Sequence, residues 1–246
     1  MLESHSIDPE EQKRFDALAD TWWNPQGPMR VLHRINPLRL KFICEVLKTH
    51  FKSSSGDFSF DTLSVLDSGC GGGLVCEPLA RLGAHVTGVD MSEELISVAK
   101  QHAEKVELPI TYCHTSLESF SAEGKTFDVV LALEVVEHVT DIPAFIKTLA
   151  PLVAPNGLLI LSTFNRTVMS FLAGIIMAEY VLGWLPRNTH QWNKFVTPEE
   201  LERILRNEGL NVGTQMGLCY RPLSCEWVLD SSDISVNYFM TAHKPA

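Results

Sequence analysis

The chain has 246 residues, 45 % of them hydrophobic and 20 % charged, a balance that excludes the disordered and fibrous classes and fits one generous α/β domain. Acidic residues outnumber basic ones by 30 to 20, for a formal net charge of −10. That excludes a general nucleic-acid binder, which needs a basic footprint against phosphates. The six cysteines are scattered, with no C-x-x-C pair and no zinc-ribbon spacing, so free thiols in a reducing compartment are expected. The first 15 residues (MLESHSIDPEEQKRF) lack the apolar run of a secretory signal and are too acidic for a transit peptide. A processed organellar chain reads the same way, so cytosol and mitochondrial matrix are both open.

In chain order, residues 8–50 read as helical, with a turn at Asn24-Pro25-Gln26-Gly27-Pro28, and Ser53-Ser54-Ser55-Gly56 reads as a loop into the main fold. An alternation follows: strand 63–67, helix 74–82, strand 85–90, helix 93–107 behind a Ser92 N-cap, strand 110–115 and strand 127–133. The last of these is continuously apolar, as a central parallel strand covered on both faces requires. A helix over 143–152 and a fifth strand over 157–163 come next. Thr197-Pro198-Glu199-Glu200 carries the signals of a helix start, and the tail, including residues 236–242, reads as closing strands. Strand and helix alternating at this spacing predict a doubly wound, mostly parallel, Rossmann-like α/β sheet. The expected organisation is one domain over 1–246: an N-terminal helical segment (1–56), a cofactor-binding core (57–165), a hydrophobic insertion after the fifth strand (166–196), and a C-terminal helix with closing strands (197–246).

The sharpest motif is Asp67-Ser68-Gly69-Cys70-Gly71-Gly72-Gly73, directly after the first strand. Glycines here permit a tight turn and close approach of a ligand to the backbone, at the carboxyl end of a strand where open α/β sheets bind ligands. Asp90 ends the second strand, at the position that reads a ribose hydroxyl pair. A dinucleotide fingerprint needs a third glycine where Leu74 stands, and no phosphate-binding G-x-x-x-x-G-K-[ST] is present. Asp67 is poorly placed beside a pyrophosphate and well placed beside a cationic amino-acid group. The combination resembles the cofactor motif of class I S-adenosylmethionine methyltransferases, with Asp67, Gly69, Gly71 and Asp90 at the cofactor.

Past the fourth strand lie Glu134, Glu137 and His138. In a helical turn they fall at i, i+3 and i+4 and share a face. Two carboxylates and an imidazole suit Mg²⁺, Mn²⁺ or, less selectively, Zn²⁺, which would orient a catechol and lower the pKa of its attacking hydroxyl. A competing reading has Glu134 line the cofactor pocket while Glu137 and His138 solvate a surface turn. Asn165, ending the fifth strand, is a further oxygen donor toward the same crevice.

Trp22-Trp23-Asn24-Pro25, the run Leu32-His33-Arg34-Ile35-Asn36-Pro37-Leu38-Arg39-Leu40, the glycine loop, residues 134–139, Thr189-His190 and Lys194-Phe195 resemble the ubiquinone-biosynthesis O-methyltransferases. The resemblance runs from about residue 8 to residue 244. It implies methylation of ring hydroxyls on polyprenylated phenols and catechols, including 3-demethylubiquinol. It also implies Arg39, Gly69, Asp90 and Leu133 as S-adenosylmethionine contacts and Glu134, Glu137 and His138 as metal ligands. Arg39 independently suits the donor's carboxylate, which a guanidinium fork matches. Ser68 departs mildly from the pattern, where a β-branched apolar residue is more usual. Trp22 and Trp23 receive no role beyond packing. His138 and His190 are the candidate general bases, and His138 cannot readily be both ligand and base.

Residues 168–178 carry no charge, and the apolar character continues past Glu179 to Leu185, ahead of a basic stretch with Arg187, His190 and Lys194. The run is too short to span a bilayer. A buried helix, a substrate lid and an interfacial element compete, and the adjoining basic residues favour peripheral contact with anionic membrane. The expected location is the cytoplasmic face of a bacterial inner membrane, or the matrix side of the mitochondrial one, with contact to a ubiquinone-biosynthesis complex. A short-chain oxidoreductase on the same sheet is disfavoured, because the third glycine and a Tyr-x-x-x-Lys pair are missing. A methyltransferase of soluble catechols and a non-catalytic donor-binding scaffold are the two rival functions that the sequence leaves open.

Overall fold

The computed structural model describes residues 9–52, 56–171 and 192–246. Two helices come first, α1 (Pro9–Asp16) and α2 (Arg30–His50), with a 3-10 turn at Ala19–Thr21 between them. The core then runs β1 (Ser64–Ser68), α3 (Cys76–Arg81), β2 (His85–Asp90), α4 (Glu93–Lys105), β3 (Thr111–His114), α5 (Leu117–Ser121), β4 (Phe127–Leu133), α6 (Ile142–Leu149) and β5 (Val153–Phe164). After it come α7 (Val168–Ser170), α8 (Pro198–Asn207), β6 (Asn211–Arg221), β7 (Glu226–Asp230) and β8 (Asn237–His243).

The eight strands among the described residues form one sheet in the order β3-β2-β1-β4-β5-β8-β6-β7. β1 to β5 pair in parallel, while β8 is antiparallel to both β5 and β6, and β7 is antiparallel to β6. The order reverses between β1 and β4, so the crevice at their carboxyl ends is the topological switch point. Period-two alternation divides the core. Val129, Leu131 and Leu133 of β4 face α2, α3 and α4, and Val130 and Ala132 face α6 and α8. With helices on both faces, β4 has no solvated side, which explains its unbroken apolar sequence.

The elements differ from the sequence expectation where local chemistry overrides periodicity. The helix expected from residue 74 begins at Cys76, since the glycine turn runs on to position 75. The short α5 lies within a stretch that periodicity leaves unassigned; Ser116 caps it by accepting from Ser119 N at 3.2 Å, and Leu117 and Phe120 bury. The closing strands resolve into three, with the β6-β7 pair extending the sheet beyond β8. At α8, Thr197 Oγ1 accepts from Glu200 N at 3.3 Å while Glu200 Oε2 accepts from Thr197 N at 3.1 Å, a complete capping box. Thr197→Ala removes one half of that exchange and is expected to cost about 1 kcal/mol, measured as a lowered midpoint in denaturant unfolding with the slope unchanged.

Candidate active site

The turn after β1 is built on glycine. Gly69, Gly71 and Gly73 hold positive φ of 73°, 52° and 89°, which L side chains rarely adopt. A Cβ on Gly72 would come within 2.3 Å of Trp22 Cδ1 and one on Gly71 within 2.5 Å of Trp22 Cζ2. The loop is therefore roofed by the indole of Trp22, which is 6 % exposed. Gly71 N donates to Asp90 Oδ2 at 2.9 Å and Ser92 N donates to Asp90 Oδ1 at 2.9 Å, so Asp90 at the end of β2 is oriented by backbone. Asp67 is buried at the end of β1 and its Oδ2 accepts from Cys76 Sγ at 3.2 Å. Burial raises the Asp67 carboxyl to about 7; Asp90's charge adds to this, against the lowering by the Cys76 hydrogen bond and Arg39. Burial also raises Asp90, against the backbone N–H groups that favour its charged form.

At the end of β4, Leu133 is buried and Glu134 adopts φ 55°. A non-glycine residue in the left-handed region marks a backbone held there by its surroundings. Its N–H donates to Ser162 O at 3.0 Å. Its carboxylate accepts from Ser162 Oγ at 2.7 Å and from Asn237 Nδ2 at 2.9 and 3.0 Å, and pairs with Arg39 Nη2 at 3.3 Å. Arg39 is 5 % exposed; its Nε is buried without a hydrogen-bond partner among the described residues, and its Nη2 meets only Glu134, as an ion pair without hydrogen-bond geometry. Buried guanidinium donors in that condition are costly unless something accepts from them. The donor set therefore fits S-adenosylmethionine: Arg39 for a carboxylate, Asp90 for hydroxyls, and the glycine turn for close backbone approach.

The metal expectation meets a different arrangement. The helical turn of the segment is a 3-10 turn over Val136–His138, with Glu134 outside it. The three side chains consequently do not share a face. Glu134 turns to Arg39, Ser162 and Asn237. Glu137 Oε2 accepts from Thr163 Oγ1 at 2.7 Å, and His138 Nδ1 lies 3.3 Å from Glu11 Oε2. Among the described residues no three or more His, Cys, Asp or Glu side chains are gathered to hold a metal ion; Glu134, Glu137 and His138 each face a different protein partner, and Glu137 Oε1 is left buried without a hydrogen-bond partner among those residues. The surface-turn reading fails too, because Glu137 and His138 are both buried. Burial raises the Glu137 carboxyl, with Glu134's charge next in size.

Other residues came without a sequence signal. Glu11 of α1 is 5 % exposed and lies between His138 and Lys194 Nζ, the latter at 3.2 Å. Burial pulls its carboxyl up, and the hydrogen bonds and charges of His138 and Lys194 outweigh that and hold it below the usual value. Lys194 is thereby committed to Glu11, where a basic stretch facing headgroups was expected. Asn165 donates from Nδ2 to Ile234 O at 2.9 Å. His190, Arg187 and most of the insertion lie outside the described residues.

A doubly wound sheet with a closing antiparallel strand, and at its switch point a glycine turn flanked by two acids, defines a class I S-adenosylmethionine-dependent methyltransferase. Comparison with known proteins agrees. A methyltransferase-domain family model matches residues 12–215. The magnesium protoporphyrin IX methyltransferase of Synechocystis shares the fold at a TM-score of 0.62 and 23 % identity, covering 94 % of each chain. A ubiquinone biosynthesis O-methyltransferase of a Methylobacterium strain is 50 % identical, covering 98 % of this chain and 97 % of the relative. Another from Cereibacter sphaeroides is 46 % identical over 97 % of both. The chain belongs to the ubiquinone biosynthesis O-methyltransferase family.

The raised Asp67 carboxyl has a measurable consequence in the ligand-free protein. The folded state keeps a proton that the unfolded chain releases near the ordinary value of 3.8. Stability from this group is therefore full below that value and lost as pH rises to about 7. Asp67→Asn lacks that loss, so its melting temperature is expected to gain on the parent's across this window and to hold a constant lead above it. A lead that does not change with pH would contradict the assignment.

Proposed function

We propose that this chain transfers a methyl group from S-adenosylmethionine to a ring hydroxyl of a polyprenylated phenol or catechol, at the 2-polyprenyl-6-hydroxyphenol and 3-demethylubiquinol steps of ubiquinone biosynthesis. The observation that carries the reading is the convergence of Asp67, Asp90, the glycine turn and Arg39, whose Nε is buried without a hydrogen-bond partner among the described residues, at one switch point. Family membership supplies the acceptor class. When bound, S-adenosylmethionine supplies an electrophilic methyl on a sulfonium centre. Arg39 binds its carboxylate, Asp90 its ribose hydroxyls, and Leu133 closes the apolar side. The buried acids Asp67 and Asp90 favour a cationic ligand. The protein's main contribution is then alignment of the phenolic oxygen with the carbon–sulfur axis.

His138 takes the phenolic proton as the oxygen–carbon bond forms and the carbon–sulfur bond breaks. Glu11, with Oε2 3.3 Å from His138 Nδ1, orients the ring, as a carboxylate behind a catalytic imidazole does. No step runs through a divalent cation, because Glu134, Glu137 and His138 are each turned to another partner. His190 is the second candidate base.

The acceptor's lipid character agrees with the described ends of the insertion. Val168, Met169, Phe171 and Trp192 are large apolar residues left 73 %, 54 %, 41 % and 40 % exposed. Among the described residues no helix is long and apolar enough to cross a membrane, and the contact we assign here is a peripheral one. We assign this surface to an anionic bilayer that delivers the prenylated acceptor, with a biosynthetic complex as a further partner.

The deciding assay incubates the protein with labelled S-adenosylmethionine and catechols that differ only in prenyl tail length. Transfer is expected to rise with the tail and to persist after exhaustive chelation, and His138→Gln is expected to lower turnover about a hundredfold or more. Binding of the donor without transfer to any catechol would leave only a scaffold. Activity lost on chelation and restored by Mg²⁺ would return the three residues to a metal. For the bilayer, Met169→Glu with Phe171→Glu is expected to reduce co-sedimentation with phosphatidylglycerol vesicles; unchanged partitioning would remove this surface from membrane contact.

A further inference from the structure

One buried carboxylate and the imidazole that meets it play no part in the reaction described above. Glu77, on α3, is 2 % exposed, and its Oε1 meets His102 Nδ1 of α4 at 2.5 Å. Arg81 Nη2 lies 3.7 Å from its other oxygen and is largely exposed. A buried carboxylate is costly unless it is paired, and the imidazole is the group that pairs it. The opposite use of the same ring is packing. His102 stacks under Trp23 with centroids 3.6 Å apart and planes 4° from parallel. Trp23 in turn donates from Nε1 to Gly72 O at 2.9 Å. A chain of contacts thus runs from a buried acid through two stacked rings to a carbonyl inside the glycine turn.

That carbonyl is a sensitive place to hold. Gly71 and Gly73 flank Gly72 with positive φ, and three consecutive glycines leave the turn more accessible conformations than any other stretch of the chain. Asp90 fixes the turn from the sheet side by accepting from Gly71 N, and Trp23 fixes it from the opposite side through Gly72 O. The neighbouring Trp22 lies flush on the same glycines, and its indole Nε1 is buried without a hydrogen-bond partner among the described residues. Whatever sets Trp23 also sets how closely that roof sits on the donor crevice.

We infer that Trp23, seated on the Glu77–His102 pair, is a positioning residue for the methyl donor: it holds the Gly72 carbonyl and thereby keeps the glycine turn in its binding shape. This rests on the proposed function, because it takes the turn to be the donor site. Holding the turn beforehand spares the ligand the entropy of ordering it.

The test is calorimetric binding of S-adenosylhomocysteine to the full chain, with thermal unfolding as the control. Trp23→Phe keeps an aromatic face on His102 and loses the bond to Gly72; it is expected to weaken binding about fivefold. His102→Ala is expected to do the same by removing the platform. His102→Gln, which keeps a donor for Glu77 and no ring, reports the same loss if the alanine variant does not fold. The double variant Trp23→Phe with His102→Ala is expected to be no weaker than Trp23→Phe by more than about twofold, since both act through one bond. In steady state the loss falls on the donor KM and not on kcat. Losses that multiply in the double variant, or lowered melting temperatures with unchanged affinity, would overturn the inference. A parent protein that does not bind S-adenosylhomocysteine would instead sink the donor-site reading itself.

Discussion

Glu134 is the point at which the crevice is tied together. It sits at the end of β4 in a backbone conformation that a residue with a side chain rarely takes. Its partners come from three other elements: Ser162 on β5, Asn237 at the start of β8 and Arg39 on α2. The strain of that backbone is sustained because the carboxylate and the N–H are both spoken for. In return, one side chain fixes the spacing of two neighbouring strands and anchors a helix from far earlier in the chain. Remove it, and Arg39 would be a buried cation without its paired carboxylate.

The second organising feature is the density of buried acid. Asp67, Asp90 and Glu137 all have carboxyls raised by burial, and Asp67 and Glu137 are raised further by a neighbouring carboxylate. Two of these flank the glycine turn. A cationic ligand relieves that arrangement, and an anionic one such as a pyrophosphate aggravates it. The overall charge of −10 is thus partly local chemistry and not only surface solvation.

Much of this was legible in the sequence. The β-α alternation, the glycine turn and the acid ending the second strand are local signals, each with its own backbone reason, and they placed the first four strands and the turn at the switch point. Arg39 was legible only through resemblance, because nothing local distinguishes it from a surface arginine. The cluster at 134–138 shows the limit. Its helical spacing pointed to one shared face, but a left-handed residue at 134 followed by a 3-10 turn sends the three side chains to different partners. Glu11 and the pair Glu77–His102 could not be seen at all. They matter through contacts between residues remote in the chain, as in the 127-residue separation of Glu11 and His138, and no periodicity encodes such pairings.

The sheet order also bears on how the molecule comes to exist. β8 is the last strand in chain order, yet it is an interior strand, seated between β5 and β6. Until it is synthesised and slotted in, β5 and β6 present open edges with unpaired backbone groups, and Asn237 is absent from Glu134. Such late, non-local pairing is slow and leaves sticky intermediates. Assembly of the crevice therefore waits on β8, the strand that closes this gap and brings Asn237 to Glu134.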